Sequence, residues 1–158
     1  MSKTCWKEEL KEVIPLLGHR NWIVVTDMAY PLQTQPGIKT LYTDESYIDV
    51  LSFVFNAIEK EPHIKPLIFQ DKELSYIEDK DAEGIELLRK QMQTLLGNRV
   101  TPVPHEKLII RLDEVSRMFN VIILKTNLTI PYTSTFFELD CSYWNSTKEE
   151  ALQTRCGA

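Results

Sequence analysis

Residues 18–31 read GHRNWIVVTDMAYP. Within them, Trp22 to Thr26 is a near-continuous apolar run rich in β-branched residues, the pattern of a strand buried on both faces rather than one with a wet side. Such strands belong to sheets covered by helices, so this short run sets the expected fold class. Titratable groups flank it: His19 follows a glycine at one end, and Asp27 precedes a proline-closed turn at the other.

The same alternation extends in both directions. Upstream, Trp6, Leu10, Val13 and Leu17 recur at helical spacing, Gly18 stands where a left-handed residue would end the helix, and Pro15 is expected to tighten its last turn. Downstream, Ile38–Tyr42 reads as a strand. Thr43 or Asp44 is placed to cap a helix whose apolar face holds Tyr47, Leu51, Val54, Phe55 and Ile58. Pro66–Gln70 is a further strand. Asp79 or Asp81 opens a helix carrying Ile85, Leu88, Met92 and Leu95, which Gly97 stops. Arg99–Val103 reads as a short strand, and Pro104 begins a helix with Leu108, Leu112, Val115 and Phe119 on its buried stripe. Asn120–Thr126 and Thr135–Leu139 close the series. Strands alternating with helices predict a single-domain α/β fold, a mostly parallel sheet with helices on both faces. The domain is expected over residues 1–144, with 145–158 as a polar, loose C-terminal tail.

Composition narrows the function. The 158 residues are 43% hydrophobic and 26% charged, in the range of globular chains, with a formal net charge of −5. Lysines and arginines are interspersed with acidic residues, leaving no basic stripe for a phosphate backbone, so nucleic acid is not an expected partner. No apolar stretch approaches the roughly 18 residues of a membrane span, and the opening MSKTCWKEELKEV turns charged without an apolar signal core. A cytoplasmic location is therefore the default expectation. The three cysteines, Cys5, Cys141 and Cys156, lack C-x-x-C spacing and are expected to be free thiols rather than a disulfide framework or metal site. The glycine-rich nucleotide loops, H-E-x-x-H and G-x-S-x-G are all missing from the sequence.

Candidate residues then come from position. In open α/β sheets ligands bind outside the carboxyl ends of strands, where Asp27 stands. His19 lies at the other end of the same run, and across about seven extended residues the two would be ~23 Å apart. They meet only if the His19 loop folds back or a second subunit supplies one of them. The alternative is structural: His19 hydrogen-bonds the last carbonyls of the preceding helix while Asp27 starts a turn. His105 opens a helix after a predicted strand, where the helix N-terminus disfavours the imidazolium and a neutral ring is expected. His63 sits among loop signals and reads as surface. Tyr132, after Pro131, either plugs the core edge or donates to a ligand.

The Gly18-His19 pair, the hydrophobic strand, and Asp27 and Pro31 at its end resemble the N-terminal signature of the D-ribose pyranase and L-fucose mutarotase (RbsD/FucU) family. The likeness continues through IKTLYTDESYIDVLSFVF, PLIFQ, VPHEKL, NVIILK and the Tyr132 entry to the last strand. The resemblance implies a cofactor-free isomerase acting on a free monosaccharide and assembling as a ring-type homo-oligomer. It assigns His19 as proton donor, Asp27 and His105 as sugar-binding residues, and Tyr132 and Ser134 as the first and third positions of a Tyr-x-Asn element. Two positions depart from the family pattern: Asn21 replaces an acidic residue and Ser134 an asparagine. These departures favour the rival expectation of a sugar-binding module without turnover, serving uptake or regulation.

Overall fold

A computed structural model describes residues 5–157; residues 1–4 of the expected domain and Ala158 of the expected tail lie outside them. The chain forms α1 (Trp6–Val13), β1 (Trp22–Thr26), β2 (Ile38–Tyr42), α2 (Tyr47–Glu59), β3 (Ile64–Asp71), α3 (Ile85–Leu96), β4 (Val100–Val103), α4 (His105–Val115), β5 (Val121–Lys125), β6 (Thr135–Cys141) and α5 (Ser146–Cys156). The six strands make one sheet in the order β2-β5-β1-β6-β3-β4. β5 pairs in parallel with both β1 and β2, and β3 with β4, whereas β6 runs antiparallel between β1 and β3. Five strands therefore point one way and one returns. The carboxyl ends of the five and the amino end of β6 share one edge of the sheet.

All five residues of β1 are buried, as its composition demands, because it is central and covered on both faces. The pleat sends Ile23 and Val25 into a core with α1, α2 and α3, and Trp22 and Val24 into a second core with α4. Phe137 and Leu139 of β6 join the first core and Phe136 the second, so the antiparallel strand contributes to both cores. Among the described residues no helix is long and apolar enough to cross a membrane, and Cys5, Cys141 and Cys156 are free.

Local differences from the sequence reading have physical causes. Pro15 does tighten the end of α1 into a 3₁₀ turn over Ile14–Leu16, but Gly18 is not the left-handed residue; Arg20 is, with φ 78°. The cap of α2 is Ser46, whose side chain accepts from the Asp49 N–H. Thr43 is engaged elsewhere, its hydroxyl donating to the Lys125 carbonyl at 2.9 Å. β3 continues to Asp71, one residue beyond the expected Gln70, because its ladder to β4 reaches Asp71 opposite Val103. The tail expected to be loose is instead helix α5, with Asn145 as its cap and no buried residue.

Candidate functional site

The carboxyl edge gathers loops that are distant in sequence. The Thr126 hydroxyl donates to the Thr26 carbonyl at 2.7 Å, and the Met28 N–H donates to the Leu128 carbonyl at 2.7 Å. The loops after β1 and β5 are thereby tied together, which seats Tyr132 beside the end of β1. Tyr132 has φ 59°, a left-handed conformation uncommon for a bulky residue and one that clusters at functional sites. Beneath it, the Thr135 hydroxyl joins the Tyr47 hydroxyl at 2.6 Å and accepts from the Gln70 amide at 2.9 Å. This buried network pins the start of β6 between the ends of β1 and β3.

His105 sits at the first position of α4. Its Nδ1–H donates to Asp71 Oδ1 at 2.9 Å, with the Asp71 side chain 0% and the His105 side chain 18% exposed. The Glu73 carboxylate accepts from the His105 backbone N–H at 3.1 Å, capping the helix from a neighbouring loop. Tyr132 and Tyr30 meet the imidazole edge-on, at centroid distances of 5.4 and 6.4 Å. The ring is thus fixed by a carboxylate and two aromatic side chains, and among the described residues nothing engages its Nε2.

The electrostatics of this edge are coupled. Burial pushes the Asp71 carboxyl above the usual carboxylate range, and the hydrogen bond from His105 only partly offsets it. Asp71 Oδ2 is buried with no partner, consistent with that direction. The hydrogen bond to Asp71 holds His105 above the ordinary imidazole value, against the opposing effect of its own burial. The neutral ring expected from the helix N-terminus is therefore corrected: a carboxylate in direct contact outweighs the end of the helix. Asp27 is also raised, chiefly by burial, and it feels both Asp71 and His105. It lines a depression of about 330 Å³ with Met28, Ala29, Thr129 and Pro131. Ser134, just before Thr135 opposite Val25, is buried at the same edge of the sheet.

His19 is on the opposite edge. Its Nδ1–H donates to Asp140 Oδ1 at 3.0 Å and its side chain is 58% exposed. It does not bond the end of the preceding helix; that carbonyl, Leu17 O, accepts from His63 Nε2 at 2.8 Å. His63, expected at the surface, is half-buried and takes the structural role considered for His19. The His19 loop is held by Asn21, whose Oδ1 accepts from the Gly18 N–H at 2.8 Å while its Nδ2 donates to the Asn120 carbonyl at 3.0 Å. The amide at this position is thus occupied in building the loop. His19 lines a cleft of about 600 Å³ that also includes Asp140, Tyr143, Trp144 and Glu149.

Within one chain, then, Asp27, His105, Tyr132 and Ser134 share the carboxyl edge of the sheet, with His105 against Tyr132, and His19 lies on the opposite edge. Sequence reasoning missed Asp71 and Asp140, the carboxylate partners of the two histidines. Asp71 was within reach: it follows PLIFQ at the carboxyl end of a buried strand, the position that singled out Asp27. Asp140 carried no such signal, since its role depends on β6 running backwards. Among the described residues no set of three or more His, Cys, Asp or Glu side chains is gathered as metal ligands.

No protein-family model matches the chain, and no curated protein sequence matches it. Solved structures do. Bacillus subtilis RbsD, complexed with D-ribose, is similar at 15% identity and a TM-score of 0.61, covering 89% of this chain and 98% of that one. The fucose mutarotase of Streptococcus pneumoniae, in complex with L-fucose, is similar at 18% identity and a TM-score of 0.56, over 84% of this chain and 91% of that one. FucU from Bifidobacterium longum is similar at 9% identity and a TM-score of 0.54, over 84% and 94%. The chain has the RbsD/FucU fold.

Proposed function

We propose that this protein is a cytosolic, cofactor-free isomerase that interconverts ring forms or anomers of a free monosaccharide by acid–base opening of the hemiacetal. In that step a base takes the proton of the anomeric hydroxyl and the C1=O bond forms. The bond from C1 to the ring oxygen breaks, and an acid protonates that oxygen; reclosure on either face or through another hydroxyl reverses the proton transfers. The observation that carries the reading is the pair of histidine–carboxylate dyads on a fold shared with ribose- and fucose-bound proteins: His19 with Asp140 at 3.0 Å, and His105 with Asp71 at 2.9 Å. A histidine held by a carboxylate is a suitable proton carrier near neutral pH. Asp27, Tyr132 and Ser134 are assigned to the sugar hydroxyls.

One chain cannot put both dyads on one sugar. They lie beyond opposite ends of β1, whose five residues alone span about 17 Å. We assign the complete site to two copies, the His19 edge of one meeting the Tyr132 edge of the next. Such a head-to-tail contact closes into a ring when its rotation permits. Exposed Leu16 and Tyr143 on one edge, and Met28 and Tyr132 on the other, supply apolar surface for it.

A second reading, sugar binding without turnover, is favoured by one observation: Ser134 is buried and shorter than the amide of the family pattern. NMR measurement of anomer exchange on D-ribose, L-fucose and a wider sugar panel separates the two. Accelerated exchange supports the isomerase. Saturation transfer to a sugar without acceleration supports the binder, and silence across the panel overturns both.

A further inference from the structure

The chain continues past β6 and returns to His19. After Cys141 it places Tyr143 and Trp144 in the wall of the His19 cleft, then enters α5, whose first turn contributes Ser146 and Glu149 to the same wall. Helix α5 buries no residue in the domain, so core packing does not account for its position. Local hydrogen bonds build its first turn: the Asn145 side chain accepts from the Lys148 N–H at 2.8 Å, and the Trp144 Nε1–H donates to Glu149 at 2.7 Å. Glu149 also accepts from the Gln153 amide at 2.9 Å.

Trp144 is the unusual member. Trp6 and Trp22 are 6% and 0% exposed, as core residues are, whereas Trp144 is 38% exposed. Its one polar atom is already committed to Glu149, and the Lys148 ammonium lies over the ring, 5.9 Å from its centroid. An indole fixed at its N–H and on one side is preorganised to offer an apolar surface, with little left to order on binding. Around it stand acceptors and an imidazole: Asp140, Glu149 and His19. Arg20, which also lines the cleft, is stacked on Phe119 at 5.6 Å. A flat apolar face beside carboxylates matches a neutral pyranose or furanose, which has a C–H face to stack and hydroxyls to donate.

We propose that Trp144 is the stacking platform of the His19 cleft, a specificity-determining residue that holds the sugar's C–H face while His19 addresses its hemiacetal. This rests on the sugar-isomerase reading of the same cleft. Stacking of this kind is made equally with ground and transition states, so its loss raises KM and leaves kcat nearly unchanged.

The test uses the full-length protein with D-ribose and L-fucose as probes, reading tryptophan fluorescence, saturation-transfer NMR and anomer exchange. For whichever sugar binds, wild type should show a fluorescence change, Trp144→Ala should weaken binding and raise KM about tenfold with kcat within about threefold, and Trp144→Phe should restore binding. Circular dichroism confirms that both variants fold. Wild-type-like KM in folded Trp144→Ala overturns the platform while leaving the isomerase reading intact, as does a sugar that binds without changing the fluorescence. Binding without exchange that is lost in Trp144→Ala and regained in Trp144→Phe supports the platform while overturning the isomerase reading. No binding of either sugar by wild type overturns the platform for these sugars, and exchange across the wider panel then decides the isomerase reading separately.

Discussion

Asp71, at the end of β3, accepts a 2.9 Å hydrogen bond from the imidazole of His105 at the start of α4, and its second carboxylate oxygen is buried without a partner. The parallel pairing of β3 with β4 puts Asp71 opposite Val103, two residues before the histidine, so the contact is a consequence of register. The dyad is therefore set on the end of a strand and the first turn of a helix, rigid elements of the kind that hold a positioned proton carrier.

Replacing Asp71 with Asn should lower the NMR titration midpoint of His105, because the hydrogen bond to Asp71 is the main cause of its upward shift. Anomer exchange should fall by about 10-fold or more as the imidazole loses its orienting carboxylate. An unchanged midpoint would show that the hydrogen bond does not hold the imidazolium in solution.

The same pair makes stability depend on pH. His105 is raised in the folded state, so the folded chain retains this proton above the ordinary value near 6.5 where the unfolded chain has released it. Its contribution is complete below about 6.5 and is lost as pH rises through the folded value. Urea midpoints measured across that window should decline in wild type, and the decline should flatten in His105→Gln.

His19→Ala should reduce exchange by roughly 10²–10⁴ while leaving the urea midpoint nearly unchanged, since a proton carrier is removed from a side chain that is 58% exposed. Near-wild-type exchange would remove His19 from the mechanism.

Composite sites should complement. His19→Ala and Tyr132→Phe, each impaired alone, should regain part of the activity when co-refolded, because some mixed contacts carry an intact His19 edge against an intact Tyr132 edge. A monomer by light scattering, or inactive mixtures, would overturn the shared site.

Gly37→Ala should be strongly destabilising. A methyl group there would stand 2.1 Å from the Ser116 carbonyl oxygen and 3.0 Å from its carbon, both backbone atoms that cannot swing aside. Separating the β2 entry from the end of α4 should cost roughly 3 kcal/mol, read as a lowered Tm.

By itself the sequence determined the elements and the ends at which chemistry could stand. Trp22–Thr26 reads as a strand covered on both faces, because four apolar residues in succession, Trp22–Val25, leave no polar face for water. Asp27, His105 and Tyr132 were legible as edge residues because each lies where a predicted element begins or ends. The periodicities of α2, α3 and α4 were equally plain, since burial repeats every three or four residues. α5 was not legible, because its helix has no apolar stripe and rests on the Asn145 cap and side-chain pairs.

Tertiary structure decided the partnerships. His105 and Asp71 are 34 positions apart, and no local spacing announces a contact created by the β3–β4 ladder. His19 meets Asp140 because β6 runs backwards between β1 and β3, carrying its carboxyl end to the amino edge of the other strands. That reversal also places Tyr132 and His19 on opposite edges, although both flank the same sheet. Propensity and periodicity act within a few residues. Strand order and direction are set by how the whole set of apolar faces can be buried at once, and that is why the two histidines acquired their carboxylates, and their separation, only in the folded chain.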